Sequence, residues 1–69
     1  MKHRKQLKKI GLKIKELREL KKLTQQALAY DCDVNLSTIQ RVESGTQNLS
    51  VNILFSIAEV LQIDVKELF

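Results

Sequence analysis

At 69 residues the chain has room for one small domain, and a domain of that size buries only about 60% of the surface its unfolded form exposes. With 43% hydrophobic residues, three aromatics, two Gly and no Pro, the core must be built mainly from Leu, Ile and Val, which suits short packed helices. The net charge of +4 is unevenly spread: residues 1–22 hold ten basic and two acidic side chains, and residues 23–69 hold two basic and six acidic ones. A basic end on a mildly acidic body points to an anionic partner, a nucleic acid or a membrane, or simply to a lysine-rich solvated face. A single cysteine, Cys32, excludes an intrachain disulfide and any two-cysteine metal site. His3 is the only histidine and the carboxylates are scattered, so neither a catalytic constellation, a metal site nor a cofactor is expected. No apolar run approaches transmembrane length, and the chain is expected to be cytoplasmic.

Residues 1–4 read as a flexible basic tail, and residues 5–69 as one folded domain. The first helix is predicted from Lys5 or Lys8 to Lys21, because Leu7, Ile10, Ile14 and Leu17 fall on one helical stripe. Gly11 inside it costs roughly 1 kcal/mol relative to Ala, which marks it as a point of close packing. Thr24 is a suitable N-cap for a second helix over 25–31. Asn35 caps a third over 36–44, which Gly45 ends as a left-handed C-cap. Ser50 opens a fourth over 51–61, with a core stripe of Val51, Leu54, Ile57, Ala58 and Leu61. Asp64 caps a last turn in which Glu67 completes a capping box. The architecture expected is an all-α bundle of five short helices.

The second and third helices, joined by a tight turn, meet the physical demands of a helix-turn-helix. Two short helices crossing steeply need a small residue at their closest approach, which Ala29 supplies. The turn needs a residue that tolerates positive φ, and Asp33 stands there. Leu28, Cys32, Val34, Ile39 and Val42 then face inward, which leaves the third helix an outer face of Asn35, Leu36, Ser37, Gln40 and Arg41. No hydrophobic core would accept that face. A small basic protein built on such a unit is expected to insert it into the major groove of DNA.

The stretch LTQQALAYDCDVNLSTIQRVESGTQNLS resembles the helix-turn-helix of phage repressor and Cro-type regulators, the XRE-like family, and the likeness extends from about Ile10 to the closing IDVKELF. The ordered set of Arg18, Thr24-Gln25, Ala29, Ser37-Thr38-Ile39, Arg41, Glu43, Gly45 and Asn48 carries it. The resemblance implies a lambda-repressor-like fold and sequence-specific binding of double-stranded DNA by a transcriptional regulator, a repressor or a controller protein. It makes Leu36, Ser37, Gln40 and Arg41 the base-reading positions. Gln25 resembles the glutamine that bonds a phosphate and supports the recognition helix. Asn35, Lys21, Lys22, Thr46 and Asn48 join it as phosphate contacts. Arg18 and Glu43 resemble a partly buried ion pair tying the first helix to the end of the third. Lys22, Asp33 and Leu49 depart from a frequent Gly, Gly and Pro, which touches local geometry and not the fold.

Residue chemistry supports these roles independently. Arginine bonds guanine O6 and N7 in bidentate fashion, and Ser37 and Gln40 both reach base edges, although serine discriminates weakly. Leu36 has two readings, packing on a thymine methyl group or an ordinary exposed apolar residue. Cys32 reads as a small core hydrophobe in preference to a redox sensor.

The fourth helix is more apolar than one buried face requires, leaving Ile53, Phe55 and Val60 over. Family members commonly dimerise through their C-terminal helices. The expectation is therefore a homodimer held by Ile53, Val60, Val65, Leu68 and Phe69, reading an inverted-repeat operator with no small-molecule ligand. The alternative is a protein-interaction module, such as an antitoxin, whose spare apolar surface binds a partner protein. Membrane-surface binding through the basic first helix ranks lower, because that helix's apolar stripe is needed to close the core.

Overall fold

The structure, a computed structural model, describes residues 3–69. Four α-helices, α1 (Arg4–Leu20), α2 (Gln25–Asp31), α3 (Leu36–Ser44) and α4 (Val51–Leu61), precede a short 3-10 helix (Val65–Leu68). The described residues contain no strand.

Side-chain caps start α2, α4 and the final turn. Thr24 Oγ1 accepts the Ala27 amide at 3.0 Å, and Ser50 Oγ accepts that of Ile53 at 3.1 Å, each satisfying a donor the first helical turn leaves open. Asn35 occupies the N-cap position of α3, but its side chain makes no capping bond. Gly45 ends α3 at φ +78°, and the next amide, Thr46 N–H, returns to the Arg41 carbonyl at 2.9 Å. Lys22, Asp33 and Gln62 all take positive φ without being glycine. Two of them stand where the sequence pattern would have a glycine.

α1 starts earlier than the sequence suggests. Lys, Gln and Leu are strong helix formers and nothing in the segment breaks the pattern, so the helix begins at Arg4. Of the expected tail, Met1 and Lys2 lie outside the described residues.

Ile14, Leu28, Ile39, Val42, Ile57 and Leu61 form the centre of one core to which every α-helix contributes. α3 lies across both α1 and α2, while α4 and the 3-10 helix cover the remaining side of α1. Three expectations need correction. The fifth element is a single tight turn with i to i+3 bonds, Glu67 N–H to Asp64 O at 2.9 Å and Phe69 N–H to Lys66 O at 3.2 Å, and not a fifth α-helix. Val51 is 65% exposed, because the core-facing stripe of α4 begins only at Ile53 and Leu54. Leu68, placed in a dimer interface by the sequence pattern, is 2% exposed and belongs to the protomer's own core. The capping box formed by Asp64 and Glu67 fixes the turn that carries it there.

Candidate nucleic-acid interface

α3 is divided cleanly by its periodicity. Ile39 and Val42 are completely buried, and Leu36, Ser37, Gln40 and Arg41 lie on the exposed side. Leu36 is 39% exposed and is the one large apolar side chain among them. Asn35, at the start of the helix, is also exposed. An amphipathic helix anchored by two β-branched residues thus presents a row of hydrogen-bonding groups to solvent.

A buried polar network fixes the far end of α3. Arg18 and Glu43 are only 8% and 9% exposed. Arg18 Nε donates to Glu43 Oε2 at 2.7 Å and Nη2 to Oε1 at 3.2 Å, a bidentate pair, while Nη1 donates to the Leu23 carbonyl at 2.6 Å. Gln25 Nε2 adds a bond to Glu43 Oε1 at 3.0 Å. The Arg18–Glu43 pair therefore joins α1, the α1–α2 turn, the start of α2 and the end of α3. The hydrogen bond with Glu43 raises the Arg18 pKa above its ordinary value despite the opposing effect of burial, so the guanidinium stays charged. Among the described residues no buried side-chain nitrogen or oxygen lacks a partner.

Two glycines let α1 and α3 touch through their backbones. A Cβ on Gly11 would stand 2.8 Å from the Glu43 carbonyl oxygen and closer still to that of Val42. A Cβ on Gly45 would stand 2.7 Å from Lys8 Cα. The lysine-rich helix is therefore pressed against the last turn of α3.

The remaining predicted contacts flank this helix in sequence. Lys21 and Lys22 are exposed in the turn before α2, and Gln25 is half-buried at its first position. Thr46 and Asn48 are exposed in the loop after α3, where Thr46 Oγ1 lies 2.9 Å from Ser44 Oγ. That loop also contains Gln47, which the sequence pattern did not single out and whose Oε1 accepts a hydrogen bond from Arg41 Nε at 3.0 Å. Its signal in the sequence was its place between Thr46 and Asn48, in the loop after Gly45 that the family resemblance sets along the DNA backbone.

Cys32 lies half-buried against the core at the end of α2, and burial, with Asp31 adding to it, pushes its thiol up to about 11. Only the thiolate attacks alkylating reagents, so at pH 8 the native thiol should react about 100-fold more slowly than the same thiol in urea. The raised value also means that folding stability falls as the pH climbs from about 9 towards 11, because the unfolded chain loses this proton first. Native and urea-unfolded alkylation rates falling within a factor of three would show that the core does not shelter Cys32.

A family model described as helix-turn-helix matches residues 14–68. The control protein C.BamHI of Bacillus amyloliquefaciens is 32% identical over 59 residues, covering 84% of this chain and 73% of that protein. The crystal structure of the restriction-modification controller protein C.AhdI from Aeromonas hydrophila superimposes with a TM-score of 0.89 at 36% identity, covering 91% of this chain and 96% of that one. The clp gene regulator ClgR from Corynebacterium glutamicum also gives 0.89, covering 91% of this chain and 67% of that one, and at 22% identity it speaks to the fold alone. The match over α1 to the final turn, on a chain whose third helix carries an exposed polar face, means that this protein belongs to the helix-turn-helix family, in its XRE-type branch of sequence-specific DNA-binding transcriptional regulators.

Proposed function

We propose that this chain acts as a repressor or controller protein, in which α3 lies in the major groove and two copies read an inverted repeat. Residues 5–69 are then the binding unit and 36–44 its recognition helix. Leu36, Ser37, Gln40 and Arg41 meet base edges, while Gln25, Asn35, Lys21, Lys22, Thr46 and Asn48 meet phosphates on either side. The observation that carries this reading is the exposed row on α3, set on a helix whose buried side is locked by Ile39, Val42 and Glu43. Asn35 supports the phosphate role, since its side chain is not spent on capping the helix. The likeness to control and controller proteins favours the controller branch. Membership of a family of DNA-binding regulators favours a binding role over a catalytic one.

Dimerisation is part of the same proposal. Val51, Phe55 and Phe69 are exposed, while Ile53, Val60 and Val65 pack partly against the protomer's own core and stay only half-buried, which leaves an apolar surface on α4 and the C-terminal turn after Leu68 is withdrawn. A twofold axis through that end places two recognition helices one DNA turn apart, with half-sites about 10 bp from centre to centre. No helix of the described residues is long and apolar enough to cross a membrane, and an intracellular site of action follows from the DNA partner.

Selection of binding sites from a random duplex pool, at about 0.15 M salt to suppress phosphate-only binding, tests this directly. An enriched inverted repeat with that spacing is the expected result. Enrichment of no sequence by folded protein would move the reading to a partner-binding module such as an antitoxin. On the selected site, Arg41→Ala should cost about 1–3 kcal/mol and relax preference at one base pair, whereas Gln25→Ala should weaken binding to all sequences evenly. Equal losses from both on specific and random DNA would refute that division of labour.

A further inference from the structure

The loop after α3 clasps Arg41 at both ends. The Arg41 carbonyl receives the Thr46 amide at 2.9 Å and the Ser44 hydroxyl at 3.1 Å, and its guanidinium Nε donates to Gln47 Oε1 at 3.0 Å. Arginine Nε only donates, so the facing atom must be the amide oxygen, which sets the orientation of the Gln47 side chain. This arrangement depends on Gly45. Its left-handed conformation turns the chain back along α3, so that a residue six positions after Arg41 in sequence comes to lie beside it.

A guanidinium has two edges able to offer parallel N–H groups, Nε with Nη2 and Nη1 with Nη2. With Nε engaged by Gln47, the Nη1–Nη2 edge remains for a bidentate partner. A free arginine on an exposed helix face samples many rotamers, and ordering it opposes binding; a side chain held in place beforehand avoids part of that cost. We propose that Gln47 is the positioning residue for base recognition. It holds Arg41 so that the Nη1–Nη2 edge meets the guanine O6 and N7, and it thereby sets the preference at a base pair it does not itself touch. This proposal rests on Arg41 reading a base, as argued under the proposed function.

The consequence is a specificity residue outside the recognition helix. Substituting Gln47 should leave the phosphate contacts intact and let Arg41 swing, so that the Nε edge and single bonds to other bases become available. The effect should appear as lost discrimination and not as a general loss of affinity. Gln47→Glu keeps the acceptor oxygen and adds a negative charge near the DNA backbone. It should therefore weaken binding to every duplex while preserving the preference.

The experiment measures affinity at about 0.15 M salt for the selected site and for its three single-base-pair replacements at each position, using the full chain and its Arg41→Ala, Gln47→Ala, Gln47→Glu and Arg41→Ala/Gln47→Ala variants. Gln47→Ala should lower discrimination by about 3- to 10-fold, the range expected for one hydrogen bond, at the base pair that Arg41→Ala also affects and at no other. In the Arg41→Ala background the same change should do nothing further. Gln47→Glu should retain the wild-type base preference. Uniform loss across all duplexes from Gln47→Ala, or additive loss in the double variant, would overturn the proposal and make Gln47 an independent contact. If Arg41→Ala itself changed no base preference, the reading of Arg41 would fall and the proposal with it. If Arg41→Ala changed the preference and Gln47→Ala did not, the proposal alone would fall. Thermal unfolding by circular dichroism on each variant separates these outcomes from loss of fold, and Gln47→Met, similar in size but without the acceptor, replaces Gln47→Ala should that variant unfold.

Discussion

Arg18→Ala should destabilise the fold by about 3–5 kcal/mol, because it leaves the Glu43 carboxylate buried without its cation. A domain of this size has a total stability of only about 3–10 kcal/mol, so the variant should be largely unfolded near its normal working temperature. The cost arises from what is stranded. Glu43, 9% exposed, keeps only the Gln25 amide as a partner, and the Leu23 carbonyl loses the Nη1 donor. The Glu43 charge also sits in the last turn of α3, where the helix dipole disfavours an anion, so Arg18 offsets two penalties at once. Arg18→Lys keeps the charge but not the planar fork, and one ammonium cannot reproduce bonds from Nε, Nη1 and Nη2; it should fall between the two. Replacing both partners, as Arg18→Met with Glu43→Leu, should recover much of the loss by removing the buried charge together with its partner. Urea unfolding of the four proteins provides the measurement. A midpoint for Arg18→Ala equivalent to within 1 kcal/mol of the parent would show that the network is ornamental.

That network also explains what could and could not be read in advance. Boundaries of α2, α3 and α4 were legible because each begins behind a residue suited to the N-cap position, Thr24, Asn35 and Ser50, and because Gly45 ends one. The start of α1, expected at about Lys5 or Lys8 and found at Arg4, was legible only to within a few residues, since lysine and glutamine continue a helix as willingly as they form a tail. Gln62 in the left-handed region was also invisible, because glutamine carries no signal for that conformation as glycine or asparagine does. Leu68 and Val51 were misplaced for a common reason. Periodicity says that a residue has apolar neighbours on its face, but not whether that face turns toward the protein's own core or toward solvent. The exposed row of α3 could be recognised from polarity at helical spacing. The bond between Gln47 and Arg41 could not, because it joins a helix to a loop through a turn whose direction emerges only once Gly45 is folded.

Gly11→Val should be the second severe change, and Gly11→Ala a milder form of it. Replacing a mid-helix glycine by alanine ordinarily gains about 1 kcal/mol of helix propensity. Here the new methyl group would enter the space 2.8 Å from the Glu43 carbonyl oxygen and closer still to that of Val42, which already accepts the Gly45 amide at 3.1 Å. Backbone carbonyls in the closing turn of a helix do not rotate aside as a flexible side chain would. The turn is held further by the Arg18–Glu43 pair and by Gly45 pressed against Lys8. Relief must therefore come from separating α1 and α3, which opens the packing around Ile14, Ile39 and Val42. Overpacking of this kind costs about 1–3 kcal/mol and occasionally more, and the contacts here fall at its upper end, so after the propensity gain alanine should be net destabilising by up to about 2 kcal/mol and valine, β-branched and larger, by about 3 or more. For a 60- to 100-residue domain each kcal/mol corresponds to about 4–8 °C in Tm. Lys13→Ala, on the exposed side of the same helix, should stay within about 0.5 kcal/mol of the parent and controls for propensity. Because α3 carries the proposed base contacts, any Gly11→Ala protein that remains folded should also lose affinity for the selected site beyond what its stability explains. A Gly11→Ala protein that melts at or above the parent temperature would mean that the two backbones have room to part, and the crossing of α1 over α3 would then not be what sets the attitude of the recognition helix.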